Sequence, residues 1–387
     1  MSVRRVLMLL AISIGFVSSI GTAGQTAREV RRQLRSNRTA VRVEAVKASE
    51  KLAPVEAIRI LDKAMLDREW EVRQATVIAL GKVGGEKAVD LLADGLYDWN
   101  LNVASLAARS LVDIGNPLVI EKMVRLIKKG NFIKRANATA VLAAMKYPGA
   151  ADLLLGLLED PDPEVRANAA NAMVLSKDPR ALAPLIKVLD DKPKVRAGAA
   201  FALGFLEDKA ALDPLLKCMT DLDRTVRANA AASLGRLRDP RAIDALAAAL
   251  QDKYAQIRYN AAEALGMIVD KRSVDALYGA VQDRNAYVRM ITAKSLGRIG
   301  APQAIPPLIQ LVRDSDMQVQ LEAVLALDQV GGIDDRVIEP LIEAIKTDWY
   351  SVGYAATVIL KKATGQDFGV DYGKWNTWWL LNKDKRR

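Results

Sequence analysis

The acid side chains best placed for proton transfer are four carboxylates within a six-residue stretch, Glu159, Asp160, Asp162 and Glu164. Two neighbouring acids can act as general acid and base if one keeps its proton near neutral pH. These four fall in a predicted turn between two helices, where Asp and Glu also cap the first turn of the next helix. We favour the capping interpretation, and composition leaves a carboxylate-only site open.

Other catalytic arrangements are limited by what the chain lacks. Its 387 residues contain no His and one Cys, Cys218. Without His there can be no Ser-His-Asp or Cys-His site and no zinc site that needs imidazole. Cys218 lies among Leu215, Leu216 and Met219, which predicts a buried side chain instead of a reactive thiol. We therefore predict no catalytic residues, no metal, no cofactor and no enzymatic activity.

A dipeptide of the Val-Arg type recurs every thirty to thirty-three residues along the chain. We call its second position the Arg column; it comprises Arg42, Arg73, Ala104, Arg135, Arg166, Arg196, Arg227, Arg258, Arg289, Gln320 and Gly353. A fixed period of this size indicates stacked repeats, each of which buries its apolar face against its neighbours.

Each repeat is predicted to be a pair of helices. In the unit from Asp221 to Gln251, apolar spacing predicts a first helix over 225–237, and Pro240 suits the first turn of the second. An Asp stands six residues before most Arg-column positions, either as a helix cap or as the ion-pair partner of the adjacent repeat's Arg. The predicted structural ladder comprises Arg73, Arg166, Arg196, Arg227, Arg258 and Arg289 with Asp160, Asp190, Asp221, Asp252 and Asp283.

Two further columns accompany the ladder. Eight residues after the Arg column stand Gly81, Gly204, Gly235, Gly266 and Gly297, which we expect to end or bend the first helix. Two residues after it stand Asn137, Asn168, Asn229 and Asn260. Stacked Asn side chains could present a polar strip to a ligand or form hydrogen bonds between repeats, and the sequence leaves both open.

Residues 225–235, Thr-Val-Arg-Ala-Asn-Ala-Ala-Ala-Ser-Leu-Gly, followed by Asp239-Pro240-Arg241-Ala242, resemble bacterial HEAT repeats of the phycobilisome-lyase-like type. The resemblance covers about residues 26–363. It implies an all-α, right-handed α-solenoid of about eleven HEAT-type helix pairs, with the Val-Arg helices on the concave side. Deoxyhypusine hydroxylase and phycobilin lyases share such repeats, which makes a hydroxylase-like or lyase-like enzyme the alternative. The hydroxylase holds iron through His-Glu pairs, so the absence of His disfavours that alternative.

The two ends of the chain differ from the repeats. Residues 1–23 combine Arg4-Arg5, an apolar run from Val6 to Ile20 and a small-residue exit, which predicts a signal peptide. We expect an exported protein, periplasmic or secreted, with an uncleaved N-terminal anchor as the alternative. Residues 24–363 form the predicted solenoid. Residues 364–387 form a predicted C-terminal cap and basic tail, in which Trp375, Trp378 and Trp379 cover the last repeat or bind a ligand.

The formal charge of +10 is concentrated at the ends. Residues 24–51 carry eight basic and three acidic side chains, and residues 383–387 carry four and one. The body between them, residues 52–382, has equal numbers of basic and acidic residues. A solenoid that follows phosphates would carry its excess positive charge along the concave face, so we predict no nucleic-acid partner. Contact of the basic ends with a membrane surface remains open.

The row directly after the Arg column is small in the early repeats and becomes large and apolar from Tyr259 onward. The predicted contact residues for a protein partner are Tyr259, Met290, Ile291, Leu321 and Leu325. Exposed contiguous apolar surface is typical of an interaction site, although a tighter curve of the stack would bury the same side chains. The predicted function is a non-enzymatic protein–protein interaction scaffold of the bacterial envelope, which binds its partner on the concave face.

Overall fold

The computed structural model of the chain describes residues 26–145, 149–330, 335–347 and 349–385. Every regular element within these ranges is helical. The predicted signal peptide at residues 1–23 lies outside the described residues.

The described residues form α-helices that we number in chain order. They are α1 Ala27–Gln33, α2 Thr39–Ser49, α3 Pro54–Ala64, α4 Trp70–Val83, α5 Glu86–Gly95, α6 Leu101–Ile114, α7 Pro117–Lys129, α8 Phe132–Ala144, α9 Ala150–Leu157, α10 Pro163–Ser176, α11 Leu182–Lys187, α12 Pro193–Leu206, α13 Leu212–Cys218, α14 Arg224–Leu237, α15 Ile243–Ala249, α16 Ala255–Ile268, α17 Ser273–Tyr278, α18 Ala286–Ile299, α19 Ile305–Val312, α20 Met317–Gln329, α21 Asp335–Ala344, α22 Tyr350–Thr364 and α23 Tyr372–Asn382. The even-numbered helices carry the Arg column, and we call them the Val-Arg helices.

The chain divides into two compact units, Met1–Pro148 and Gly149–Arg387. The first contains α1 to α8 and the second α9 to α23. Within each unit the Val-Arg helices pack on one another in sequence order, and each also packs against the odd-numbered helix that precedes or follows it. The predicted all-α solenoid of about eleven helix pairs is confirmed.

Short polar side chains determine where the helices begin. The Asp223 carboxylate accepts the backbone amides of Thr225 and Val226 and so caps α14. Asp221 lies two residues before that cap and accepts the amide of Asp223 at 2.8 Å. Of the two interpretations of the Asp column, the helix cap is therefore wrong for Asp221, and the ion pair with the Arg of the adjacent repeat is the one observed. Asp221 also stabilises the turn that contains the capping residue, Asp223. As Pro240 predicts, a 3-10 turn over Pro240–Ala242 leads into α15.

The Gly column lies inside the Val-Arg helices, so the prediction that it ends or bends them was wrong. The left-handed residue that follows α14 is Arg238, three positions beyond Gly235. A Cβ atom built on Gly235 would lie 2.7 Å from the Cα of Ala264 in the next Val-Arg helix. One on Gly266 would lie 2.8 Å from the Cα of Ser295. The column is therefore a line of backbone-to-backbone contact between repeats, which a larger side chain would prevent.

The last helix closes the second unit with aromatic side chains. Trp375 on α23 is fully buried, and its Nε1 donates a hydrogen bond to the carbonyl of Gly369 at 2.8 Å. The Phe368 ring packs edge-on against it with centroids 5.0 Å apart. Trp379 is also buried. Cys218 is buried as well, and desolvation raises the pKa of its thiol to about 11, which leaves it protonated and unreactive at neutral pH.

Candidate functional site

The Arg column forms a ladder of ion pairs that joins successive repeats. Seven of its arginines donate through Nε and Nη2 to both oxygens of an Asp twenty-five residues further along, at distances of 2.5–3.4 Å. The pairs are Arg42–Asp67 and Arg73–Asp98 in the first unit, and Arg166–Asp191, Arg196–Asp221, Arg227–Asp252, Arg258–Asp283 and Arg289–Asp314 in the second. This two-point geometry is the strongest arrangement of an Arg with a carboxylate.

Each guanidinium also donates a hydrogen bond to a backbone carbonyl within its own repeat. Nη1 of Arg258 donates to the carbonyl of Asp252 at 2.9 Å, while its other nitrogens reach Asp283 of the next repeat. Only 6% of the Arg258 side chain and 8% of the Asp283 side chain are exposed. The ladder is therefore largely buried structure, with few donors left for a ligand.

One predicted ladder residue, Asp190, is not part of the ladder. Arg166 pairs instead with Asp191, at 2.6 and 2.7 Å, and Asp190 is exposed. The repeat between Arg166 and Arg196 is one residue shorter than its neighbours, so counting six back from Arg196 reaches the wrong Asp. The spacing from the Arg of one repeat forward to its Asp partner is twenty-five residues here as in the other pairs, because the missing residue falls between Asp191 and Arg196. Asp160, also predicted, accepts the Asp162 amide through its carboxylate and the Arg166 guanidinium through its carbonyl.

Burial is the largest single influence on the pKa of Asp283 and raises it. The hydrogen bonds from Arg258 and from the Asn285 amide, together with the Arg258 charge, outweigh burial and hold the pKa below its ordinary value. For Asp191 the hydrogen bond from Arg166 is the largest influence and also lowers the pKa. Both groups are therefore charged at neutral pH, as members of an ion pair and not as proton donors.

The Asn column forms hydrogen bonds between repeats. The side-chain amide of Asn229 donates to the carbonyl of Ala197 at 2.8 Å, and that of Asn260 donates to the carbonyl of Ala228 at 2.8 Å. In these two repeats the donors are occupied by the preceding Val-Arg helix. These two side chains are therefore not available to form a polar strip that binds a ligand.

The predicted contact residues are placed differently from one another. Tyr259, Met290 and Leu321 are half-buried, and Leu325 is 41% exposed. Ile291 is 2% exposed, so the prediction that it contacts a partner was wrong. It occupies the position two after the Arg column, which points toward the preceding repeat, as Asn229 and Asn260 do.

A group of apolar side chains on the Val-Arg helices α20 and α22 is exposed except for the half-buried Leu321. We call it the C-terminal patch; it comprises Leu321 and Leu325 on α20 with Tyr350, Tyr354 and Val358 on α22. Each helix contributes residues four apart, which places them in one stripe. The exposed fractions of Tyr350, Tyr354 and Val358 are 73%, 55% and 51%. The two tyrosine rings stack with centroids 6.0 Å apart.

An ion pair closes one end of the C-terminal patch. Lys362 of α22 donates to Asp328 of α20 at 2.7 Å, which ties the two helices together beyond Val358. Side chains of Tyr, Leu and Val that remain exposed on a rigid helical surface can bury much apolar area in an interface at a small entropic cost. The patch can therefore bind another apolar surface.

A smaller aromatic group lies near the start of the second unit. The rings of Phe201 and Phe205 on α12 meet edge to face with centroids 4.9 Å apart. The guanidinium carbon of Arg236 lies 3.9 Å from the Phe205 ring centroid. Leu175 on α10, the preceding Val-Arg helix, is partly exposed. Sequence analysis missed this group because it selected large apolar residues only from Tyr259 onward, although Phe201 lies five residues after Arg196, in the same row as Leu325.

The four acids considered for proton transfer are explained by local structure. The Asp162 carboxylate caps α10 by accepting the Glu164 amide at 2.8 Å. Glu159 pairs with Lys187 at 3.0 Å, and Glu164 pairs with Lys194. Within the part of the chain that the structure describes, no group of His, Cys, Asp and Glu side chains is arranged to hold a metal ion.

A model of HEAT repeats matches the chain in overlapping stretches. The matched residues are 27–112, 65–132, 120–204, 184–266, 212–290, 246–316 and 274–361. The chain belongs to the HEAT repeat family. HEAT repeat solenoids commonly bind proteins along their extended surfaces. The comparison with curated proteins gives no match.

Solved structures with similar folds belong to several different proteins. The Escherichia coli protein YibA is 21% identical over 68% of this chain and 97% of its own, with a TM-score of 0.52. Kap95p, solved with RanGDP, is 12% identical over 92% of this chain and 59% of its own, with a TM-score of 0.56. Human deoxyhypusine hydroxylase is 23% identical over 63% and 96%, with a TM-score of 0.30. At identities this low, the two matches with TM-scores of 0.52 and 0.56 show the HEAT repeat fold alone.

Proposed function

We propose that this HEAT repeat protein is a non-enzymatic scaffold that binds a protein partner through the C-terminal patch. The observation that carries the proposal is the row of exposed Leu, Tyr and Val side chains on α20 and α22. A soluble protein rarely leaves such a stripe facing water unless another surface covers it. The seven Arg–Asp pairs and the side chains of Asn229 and Asn260 are occupied in contacts between repeats, and the C-terminal patch offers apolar contact to a partner.

The patch lies on the Val-Arg helices, and we place these helices on the concave side of the repeats. Their backbone-close packing through the Gly column supports this placement, because the row of helices with the shorter spacing lies on the inside of any curved stack. A partner held there contacts successive repeats at once, so its contacts are spread over several helices instead of converging on one deep pocket.

We further propose that the protein is bacterial and works in the cell envelope. The sequence of residues 1–23 supports export, with cleavage after Ala23 or retention as an anchor. None of the helices that the structure describes has the length and apolar character needed to cross a bilayer. The phycobilisome-lyase-like character of the repeats supports a bacterial origin and carries no enzymatic role in this proposal.

Replacing Tyr354 and Leu325 together with Ser should abolish most partner binding without unfolding the protein. Truncating a central interface residue costs at least about 2 kcal/mol at a hot spot, which is about thirtyfold in the dissociation constant. The measurement is saturable co-purification of the partner from the native cells, quantified against the amount of scaffold.

The matched control replaces Tyr287 and Leu222 with Ser. These side chains are 71% and 99% exposed and lie outside the patch, so the control removes the same atoms from the surface. Partner binding should stay within about twofold of the unmodified protein in the control. Equal loss in both double variants, or none in either, would show that the C-terminal patch is not the contact.

A further inference from the structure

Five arginines are exposed at the beginning of the first unit. Arg28, Arg31 and Arg32 lie on α1, Arg35 follows in the turn after it, and Arg38 precedes α2. The spacing of three and four residues places Arg28, Arg31, Arg32 and Arg35 on one side of the helix. We call these four the arginine stripe.

The opposite side of α1 fixes the direction of the stripe. Val30 is fully buried against Ala45 of α2 and Ile60 of α3, and Leu34 packs on the same cluster. Because this face is held in the core, the guanidinium groups are kept on the outer surface. The four of them fit within about 10 Å of helix length at 1.5 Å per residue.

Nearby carboxylates pair with only two of the four arginines in the stripe. Arg31 pairs with Glu56, and Arg32 lies 3.9 Å from Glu29. Glu56 is also shared with Arg59 at 3.5 Å. Among the described residues no carboxylate lies within ion-pair distance of Arg28 or Arg35. The stripe therefore keeps a net positive charge on a protein whose central body has equal numbers of basic and acidic residues.

We propose that the arginine stripe binds an anionic membrane surface, with the phosphate groups of acidic phospholipids as its ligands. A guanidinium group can donate two hydrogen bonds to two oxygens of one phosphate. The electrostatic attractions of several basic side chains to an anionic bilayer are additive. The apolar run from Val6 to Ile20 ends eight residues before Arg28, so a leader or anchor that enters the bilayer delivers the stripe to its surface.

The same residues fit a nucleic acid less well. Residues 26–51 contain no Phe, Tyr or Trp on which a base could stack. A protein surface that binds nucleic acid carries basic side chains along the path of the phosphate backbone. Here the excess of basic residues ends at residue 51, where the neutral body begins. This inference does not depend on the C-terminal patch or on the identity of its partner.

The test compares vesicle binding of the full chain with that of a triple variant, Arg28→Gln, Arg32→Gln and Arg35→Gln. Arg31 is left in place because its pair with Glu56 joins α1 to α3. We expect the partition coefficient onto vesicles with about 25% phosphatidylglycerol to fall about a hundredfold in about 0.1 M salt. Binding to pure phosphatidylcholine vesicles should not change. All variants keep residues 1–23, so the leader contributes equally to each.

A control triple variant, Lys294→Gln, Arg298→Gln and Arg313→Gln, makes the same change in net charge at exposed positions of the second unit. It should lower binding by less than about threefold. An equal fall in both triples, or none in the stripe variant, would overturn the proposal. The proposal would also be overturned if the unmodified protein bound a labelled DNA duplex more tightly than anionic vesicles and the stripe variant lost that DNA binding. Thermal unfolding followed by circular dichroism verifies that each variant is folded.

Discussion

Replacing Asp283 with Ala should lower the free energy of unfolding by about 3–5 kcal/mol, because it leaves the guanidinium of Arg258 buried without its counter-charge. Both side chains are more than nine-tenths buried, so the substitution removes two hydrogen bonds from a guanidinium that is largely shielded from water. Urea denaturation followed by circular dichroism measures the change. The control is Glu159→Ala, which breaks a pair whose side chains are 71% and 74% exposed and should change stability little.

The same contribution depends on pH in a defined direction. The pKa of Asp283 is lower in the folded protein than its ordinary value of 3.8. The stabilisation from this pair is therefore complete above that value and is lost as the pH falls toward the folded pKa. We expect the difference in stability between the unmodified protein and Asp283→Ala to shrink as the pH is lowered from about 6 to about 3. A difference that grew on acidification would contradict the ion-pair account.

Replacing Gly235 with Ala should lower the free energy of unfolding by about 1–3 kcal/mol, although Ala is the better helix former. The added methyl group would lie 2.7 Å from the Cα and 2.8 Å from the Cβ of Ala264, so two helix backbones would have to separate. Such a shift also strains the neighbouring ladder pair, since the Arg and the Asp belong to different repeats. Thermal and urea unfolding of the variant would measure the loss.

Gly156→Ala is the matched control for this substitution. Gly156 also lies inside a helix, α9, but a Cβ there would have no neighbouring atom within 4 Å. Here the helix propensity decides the outcome, and we expect a gain of about 0.5–1 kcal/mol. Stabilisation by both substitutions would mean that the Gly column is not a line of close contact between repeats.

The repeat architecture could be predicted from sequence because a single spacing recurs so often. The Arg column and its period were enough to predict helix pairs, and the pairing of Arg227 with Asp252 follows from the same spacing. Asp190 shows the limit of this reasoning. The structure keeps the distance from an Arg forward to the next Asp, and a repeat shortened by one residue breaks the backward count that the sequence suggested.

The position of the C-terminal patch could be predicted only in part. Leu321 and Leu325 lie one and five residues after the Arg column, in rows that the sequence analysis considered. Val358 lies in the same row as Leu325 but was not included in the prediction, and Tyr350 lies three residues before the column, in a row that was not considered. Whether a row faces water depends on the rotation of each helix in the stack, which hydrophobic spacing alone does not give. For the same reason Ile291, apolar and close to the patch in sequence, proved to be core.

The most direct test of the proposed function is site-specific photo-crosslinking in the native cells. A photoreactive residue placed at Tyr354 should yield a discrete adduct with one protein partner, and Leu325→Ser in the same chain should remove it. The same residue placed at Leu222, which is 99% exposed on a turn, should yield no such adduct. The absence of an adduct at position 354, or the same adducts at both positions, would contradict partner binding through the C-terminal patch.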